Sequence, residues 1–248
     1  MKKQSSKSLF WYNFYVEIQV GVSKINKYAS SESGDTLEVI ERPNGGLSVV
    51  LADGQRSGKS AKRISNMVVR KVISLLAEGV RDGPAARAAS DYLYSMKSGK
   101  VQSTLNIMSI DLESNSLVIT RNNPVPMYIV QEKEIKIFDE ESHPVGIYRT
   151  TRPVIQEADL KLDLIVVAFT DGLIHAGDRE GKSLDIPAAL EEFISAKSSS
   201  QEIADDLMKK ALALDKNRPI DDISVVVIRT LENTGDDVRR MSIRLPLK

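Results

Sequence analysis

The 248-residue chain contains no cysteine. That excludes a disulfide framework, a thiolate metal site and a cysteine nucleophile, and it fits a reducing compartment. Histidine is scarce: His143 and His175 are the only two, which argues against an imidazole-built zinc site. Charge of one sign is not in excess. Lys and Arg total 34 against 34 Asp and Glu, so there is no electrostatic reason to expect nucleic acid or an anionic membrane as partner. Long apolar runs are missing too. The stretch LIVVAF at 164–169 is far too short to span a bilayer. The N-terminal MKKQSSKSLFWYNFYVEIQV lacks the continuous apolar stretch and small-residue cleavage site of a signal peptide. The expectation is a cytoplasmic protein. What is present is an ordinary globular balance, 42% hydrophobic and 27% charged, enough to build a core without staples. The length suits one domain, 1–248.

Apolar alternation predicts strands at 11–20, 36–41, 47–52, 103–111, 116–121, 125–130, 153–158, 163–170 and 222–229. The stretch VRRMSIRL at 238–245 also alternates and reads as a late edge strand within a C-terminal extension, 231–248, with Pro246 to stop it. Helical spacing predicts helices at 61–77, 84–97, 187–195 and 200–214. Pro84 and Pro187 open two of them, and Ser199 with Glu202 has capping-box spacing. Strands, two helices, many strands, two helices and a final strand are not a regular βα alternation. The expected class is α+β, with mainly antiparallel sheets covered by helices.

The informative residues are acids at strand ends. In SGDTLEVIERPNGGLSVVLADG, residues 33–54, two strand-like runs flank Pro43-Asn44-Gly45-Gly46. Asn-Gly is a strong hairpin signal. With Asn44 and Gly45 at the tip, Thr36 faces Asp53 and Asp35 faces Gly54, so Asp35 and Asp53 arrive together at the open end. LIVVAFT runs into Asp171-Gly172, and Asp221-Asp222 precedes ISVVVI. If these two strands are antiparallel neighbours, the exit of one lies beside the entrance of the other, and Asp171 and Asp221 share an edge. A single Asp-Gly after a strand is ordinarily just a turn. Four such placements together point further. Clustered carboxylates repel unless cations sit among them, and all-oxygen ligation favours Mg²⁺ or Mn²⁺.

These segments resemble the type 2C metal-dependent protein phosphatases, in particular the SpoIIE/RsbU/RsbX branch. The resemblance spans about 20–229 and rests on SGDTLEVIERPNGGLSVVLADGQRSGKSA, TRNNPVPMYIV, HPVGIY, VVAFTDGLIHAGD and RPIDDISVVVI, in the family's order. It implies a four-layer α-β-β-α sandwich. It implies a serine/threonine phosphatase with two Mn²⁺ or Mg²⁺ ions, acting on a phosphorylated regulatory protein such as an anti-sigma-factor antagonist or stress-complex protein. Asp53 matches the acid bridging both ions, Asp171 and Asp221 the other acids of one ion, and Asp35 and the Gly54 carbonyl the ligands of the second. Asp53 and Asp171 are the expected catalytic acids, and Asp222 is the lesser member of its pair. Two such ions, roughly 3.5–4 Å apart, hold a bridging hydroxide that attacks phosphorus. Gln55 stands where many relatives have a histidine, and glutamine cannot deliver a proton. Arg56 stands where a family glycine often sits and is a candidate for phosphate binding. Asn122-Asn123 replaces a glycine-containing pair, and Asp178 is a candidate for a mobile flap.

Two other readings compete. One is a non-catalytic regulatory module of the same fold. The other is a nucleotide-binding protein, because Gly54-Gln-Arg-Ser-Gly-Lys-Ser60 follows a strand and precedes a helix as a P-loop does. That motif needs four residues between its glycines and here has three, and a P-loop core wants parallel strands. Substrate identity and oligomeric state are not legible.

Overall fold

The computed structural model describes residues 16–233 and 235–246. The order is β1 (Val16–Ile25), β2 (Asp35–Glu41), β3 (Leu47–Asp53), α1 (Gly58–Ala77), α2 (Asp82–Lys97), β4 (Leu105–Asp111), β5 (Ser116–Asn122), β6 (Met127–Gln131), β7 (Glu134–Phe138), β8 (Val154–Asp159), β9 (Ile165–Phe169), α3 (Ile186–Ile194), α4 (Ser200–Leu214) and β10 (Ile223–Glu232). Two five-stranded sheets form, ordered β1-β10-β9-β6-β7 and β2-β3-β4-β5-β8. Every pairing is antiparallel. The part of the predicted first strand at 11–15 lies outside the described residues.

Side-chain alternation along each strand explains the layers. In β3, Val49 and Leu51 point into the cluster between the sheets, while Val50 and Ala52 join the cluster under α1 and α2. In β10, Val226 and Ile228 face the other sheet, and Val225 and Val227 face α3 and α4. Such strands are covered on both faces, which is why they read as continuous apolar runs rather than as clean alternation. The result is the expected four-layer α-β-β-α sandwich. Each fully buried Val, Leu or Ile contributes roughly 1.5–3 kcal/mol relative to exposure.

Local signals hold in α3 and α4. The Asp185 carboxylate accepts from the Ala188 N–H, and Ser199 and Glu202 form a reciprocal capping box. Three expectations are corrected. Helix α1 starts at Gly58, one turn earlier than predicted. Strand β7 was missed. It follows a tight turn whose central residues, Glu132 and Lys133, have φ of 53° and 67°, a conformation normally announced by Asn-Gly. The predicted strand at 238–245 makes no ladder. Strand β10 already has β1 and β9 on its two sides, so the chain leaving it has no open edge on its own strand. Val238, Met241, Ile243 and Leu245 stay exposed. Among the described residues no helix is long and apolar enough to cross a membrane.

Candidate metal centre

The β2–β3 hairpin brings the first two acids together, in a register one residue from that expected. The Arg42 N–H donates to the Gly46 carbonyl (2.7 Å) and the Gly45 N–H to the Arg42 carbonyl (2.9 Å). Gly45 has φ +84°. The loop is therefore three residues with a bulge, not a two-residue tip. Asp35 consequently faces Asp53, and Thr36 faces Ala52. Directly opposed residues share a face, so both acids project between the sheets, in the rows of Leu37 and Val39 on β2 and Val49 and Leu51 on β3.

The other acids come from the second sheet. Phe169 at the end of β9 pairs with Val225 near the start of β10. The exit of one strand thus lies beside the entrance of the other, as the sequence suggested. Asp171 opens a short 3-10 turn. Asp53, Asp171 and Asp221 line one cleft of about 460 Å³, together with Lys27, Gln55 and Arg56. None of these three acids forms an ion pair among the described residues.

Asp222 is turned to structural use. Its two oxygens accept from the Gly34 N–H (2.7 Å) and the Lys27 N–H (2.8 Å). Asp35 lies behind Asp53 and is fully buried. Its Oδ2 accepts from Ser224 Oγ (2.6 Å) and Thr170 Oγ1 (3.0 Å), while its Oδ1 is buried with no hydrogen-bond partner among the described residues. The ammonium groups of Lys24 and Lys62 both donate to its main-chain carbonyl, at 2.6 and 2.7 Å. Burial of that ammonium end and the neighbouring Lys62 charge push Lys24 down, although the rest of the residue is exposed.

Electrostatics follow from this crowding. Burial, then the Asp35, Asp171 and Asp221 charges, push Asp53 up to about 9. Burial also raises Asp35, against the pull of the Ser224 hydroxyl and the Lys24 charge. Burial and Asp221 raise Asp171, with His175 opposing. These carboxylates resist ionisation because burial, and for Asp53 and Asp171 the neighbouring acids, outweigh the pull of Lys24 and His175.

The donors fit hard divalent cations. All are oxygens, one buried carboxylate oxygen is unpartnered, and the negative charge is unbalanced. Gly54 adds a main-chain oxygen. A Cβ at this position would lie 2.0 Å from the Ala61 carbonyl, so only glycine lets α1 pack this closely. The bridge between Gly54 and Ser103 is closed by groups of Asp53, Gln55, Gln102 and Thr104, leaving the Gly54 carbonyl outside that ladder. Among the described residues no three acidic or imidazole side chains close around one point.

Other expectations divide. Arg56 is exposed at the cleft with φ +81°, a left-handed conformation that favours glycine. The Gln55 side chain accepts from the Gln102 N–H. Asn122 holds the carbonyls of His143 and Arg152, and Asn123 accepts from the Val125 N–H, so both are structural. Asp178 pairs with His175 at 2.9 Å on the surface and does not line the cleft. The P-loop reading is overturned, because β3 has only antiparallel neighbours. Sequence reasoning missed Thr170 and Ser224. The signal was there, since both continue inward-facing rows, Val166-Ala168-Thr170 and Ser224-Val226-Ile228.

Comparison with known proteins places this geometry. The chain is 23% identical over 217 residues to stage II sporulation protein E of Bacillus subtilis (strain 168), covering 88% of this chain and 26% of that protein. It thus spans about a quarter of that relative's length. A solved structure of the PP2C phosphatase domain and part of the regulatory domain of SpoIIE from Bacillus subtilis superimposes with a TM-score of 0.75 at 21% identity, covering 89% of this chain and 65% of that one. A structure of RsbX in complex with magnesium gives 0.66 at 19% identity, covering 87% and 98%. Because the family model for stage II sporulation protein E (SpoIIE) matches residues 43–231, most of the fold just described, the chain belongs to the SpoIIE family and has the sandwich fold of its PP2C-type domain.

Proposed function

We propose that this chain is a metal-dependent serine/threonine protein phosphatase whose substrate is a phosphorylated regulatory protein, such as an anti-sigma-factor antagonist or a stress-complex protein. The observation that carries this is the convergence of Asp53, Asp171 and Asp221 from two different sheets onto one cleft, without an ion pair among the described residues to neutralise them. Asp53 stands between the two halves of the site. Asp53, Asp171 and Asp221 would hold one ion, and the Gly54 carbonyl and the unpartnered Oδ1 of Asp35 would contribute to a second. A pair of Mg²⁺ or Mn²⁺ ions there supplies an activated water and offsets charge on the phosphoryl group.

The remaining work belongs to the chain itself. The ends of β3, β9 and β10 bring the acids to the cleft, where an incoming phosphoryl group would meet them. The Arg56 guanidinium at the cleft suits two oxygens of the incoming phosphate. Gln55 carries no proton to give, so the departing serine or threonine oxygen takes its proton from solvent.

The test is hydrolysis of p-nitrophenyl phosphate and of phosphorylated antagonist proteins, with and without Mn²⁺. The reading expects metal-dependent turnover that Asp53→Ala and Asp171→Ala abolish. Turnover indifferent to both substitutions would sink it. A folded wild-type protein that binds Mn²⁺ but turns nothing over would favour the regulatory-module reading.

A further inference from the structure

The inner faces of the two sheets meet in an apolar layer. Its rows run Leu37 and Val39 on β2, Val166 and Ala168 on β9, and Val226 and Ile228 on β10. At the cleft end the next inward position in each row is polar: Asp35, Thr170 and Ser224. All three are buried, with exposures of 0%, 1% and 0%, and they bond to one another. Thr170 Oγ1 and Ser224 Oγ both reach Asp35 Oδ2 across the gap between the sheets. The direction of the threonine bond is set by its neighbours. Its oxygen already accepts the Ser224 N–H at 2.9 Å, and of the two acceptors left for its proton, Asp35 Oδ2 at 3.0 Å is nearer than the Asp222 carbonyl at 3.4 Å.

The place of this cluster matters more than its polarity. Thr170 immediately precedes Asp171. Ser224 lies two residues beyond Asp222 and three beyond Asp221. Asp35 is the residue directly opposite Asp53. Each member is therefore joined to one of the cleft acids by one to three residues of backbone, or by a single ladder position. Apolar contact between sheets is non-directional and permits small slides. Hydrogen bonds specify distance and angle.

We propose that Thr170 and Ser224 are positioning residues, which hold Asp35 as a cross-brace and thereby set the separation between Asp53 on one sheet and Asp171 and Asp221 on the other. The brace rests on the metal-centre reading above. It also gives the two hydroxyls a purpose beyond satisfying a buried carboxylate, because one oxygen of Asp35 is held by both of them while the other has no partner among the described residues.

The experiment compares wild type with Thr170→Val, Ser224→Ala and Thr170→Ser. Three readouts are needed: calorimetric titration of the metal-free protein with Mn²⁺, kcat and KM for p-nitrophenyl phosphate at saturating Mn²⁺, and the melting temperature without metal. The brace predicts that Thr170→Val and Ser224→Ala each weaken Mn²⁺ binding about 10- to 100-fold, as loss of a partner behind a ligand does. It predicts a comparable fall in kcat, with KM little changed. Thr170→Ser keeps the donor and restores both. Mn²⁺ affinity and kcat unchanged in both variants, with only a lower melting temperature, would overturn the brace and leave the phosphatase reading standing. Wild-type protein that binds no Mn²⁺ would sink that reading and the brace together. Thr170 lies just past the end of β9 and Ser224 within β10, so if one variant fails to fold the other still decides the question.

Discussion

The two ends of β2 handle buried acid in opposite ways. Just beyond Glu41, Arg42 donates to the Asp82 carboxylate at 3.0 Å and to the Val80 carbonyl at 3.0 Å. Burial raises Asp82, while Ser109 and the Arg42 charge pull it back. At the other end, Asp35 faces Asp53, which shares a cleft with Asp171 and Asp221; Arg56 and Lys27 line that cleft as well, yet none of these four acids forms an ion pair among the described residues. The same hairpin thus neutralises one buried carboxylate with a cationic side chain and leaves a group of others facing each other. Arg121 and Arg229 are handled differently: both are buried, and their terminal guanidinium nitrogens donate to main-chain carbonyls while each Nε has no partner among the described residues. The lesson is that one buried acid of this hairpin is paired with an arginine, whereas the acids at the cleft end crowd together without an ion pair among the described residues.

The largest effect should come from removing charge at the cleft. Asp53→Asn is expected to lower Mn²⁺-dependent hydrolysis of p-nitrophenyl phosphate by about a thousandfold, and at the same time to raise the melting temperature of the metal-free protein, because a repelled carboxylate is gone. A drop in that temperature would mean that the acids are not in conflict. The mirror substitution lies at the other end. Asp82→Ala strands the Arg42 charge and should cost about 3–5 kcal/mol of stability, read by urea unfolding, with kcat per folded molecule unchanged. If the two substitutions behaved alike, the contrast between the ends would be wrong.

A smaller, graded effect concerns pH. Asp53 has a folded pKa of about 9 against an ordinary 3.8, and Asp35 and Asp171 are raised as well. The metal-free native state therefore holds protons that the unfolded chain has released. The contribution of these acids to stability is fullest below the ordinary carboxylate range and is lost as pH rises toward 9. Melting temperatures in chelator should fall between pH 5 and 8, and added Mn²⁺ should remove the slope, since cations favour the charged acids. The smallest effect is expected at the rim. Arg56→Gly relieves a left-handed backbone worth about 1 kcal/mol, so the melting temperature should rise slightly while KM for a phosphorylated protein substrate increases. An unchanged KM would return Arg56 to the role of a solvated loop residue.

Much of this was legible in the chain. The capping signals of α3 and α4, the paired runs around Asn44-Gly45, and the strand-end acids all announce themselves locally, through propensities and alternation that need no distant partner. The misses have physical causes. The hairpin register slipped by one because a bulged three-residue loop and a two-residue tip share the same residues, and only the ladder decides between them. Strand β7 escaped notice because Glu132-Lys133 adopts a turn those residue types do not favour. The extension at 238–245 has a strand's pattern without an edge to pair with.

Sequence by itself determined the composition of two amphipathic helical pairs, the apolar strands and the position of each acid at a strand end, because these depend on neighbours a few residues apart. Tertiary structure alone decided which acids share the cleft, that Asp222 is spent on main-chain N–H groups, and that Thr170 and Ser224 reach Asp35. Those outcomes depend on how two sheets stack, with contacts between residues as far apart as 35 and 224, and no local rule in the chain encodes that distance.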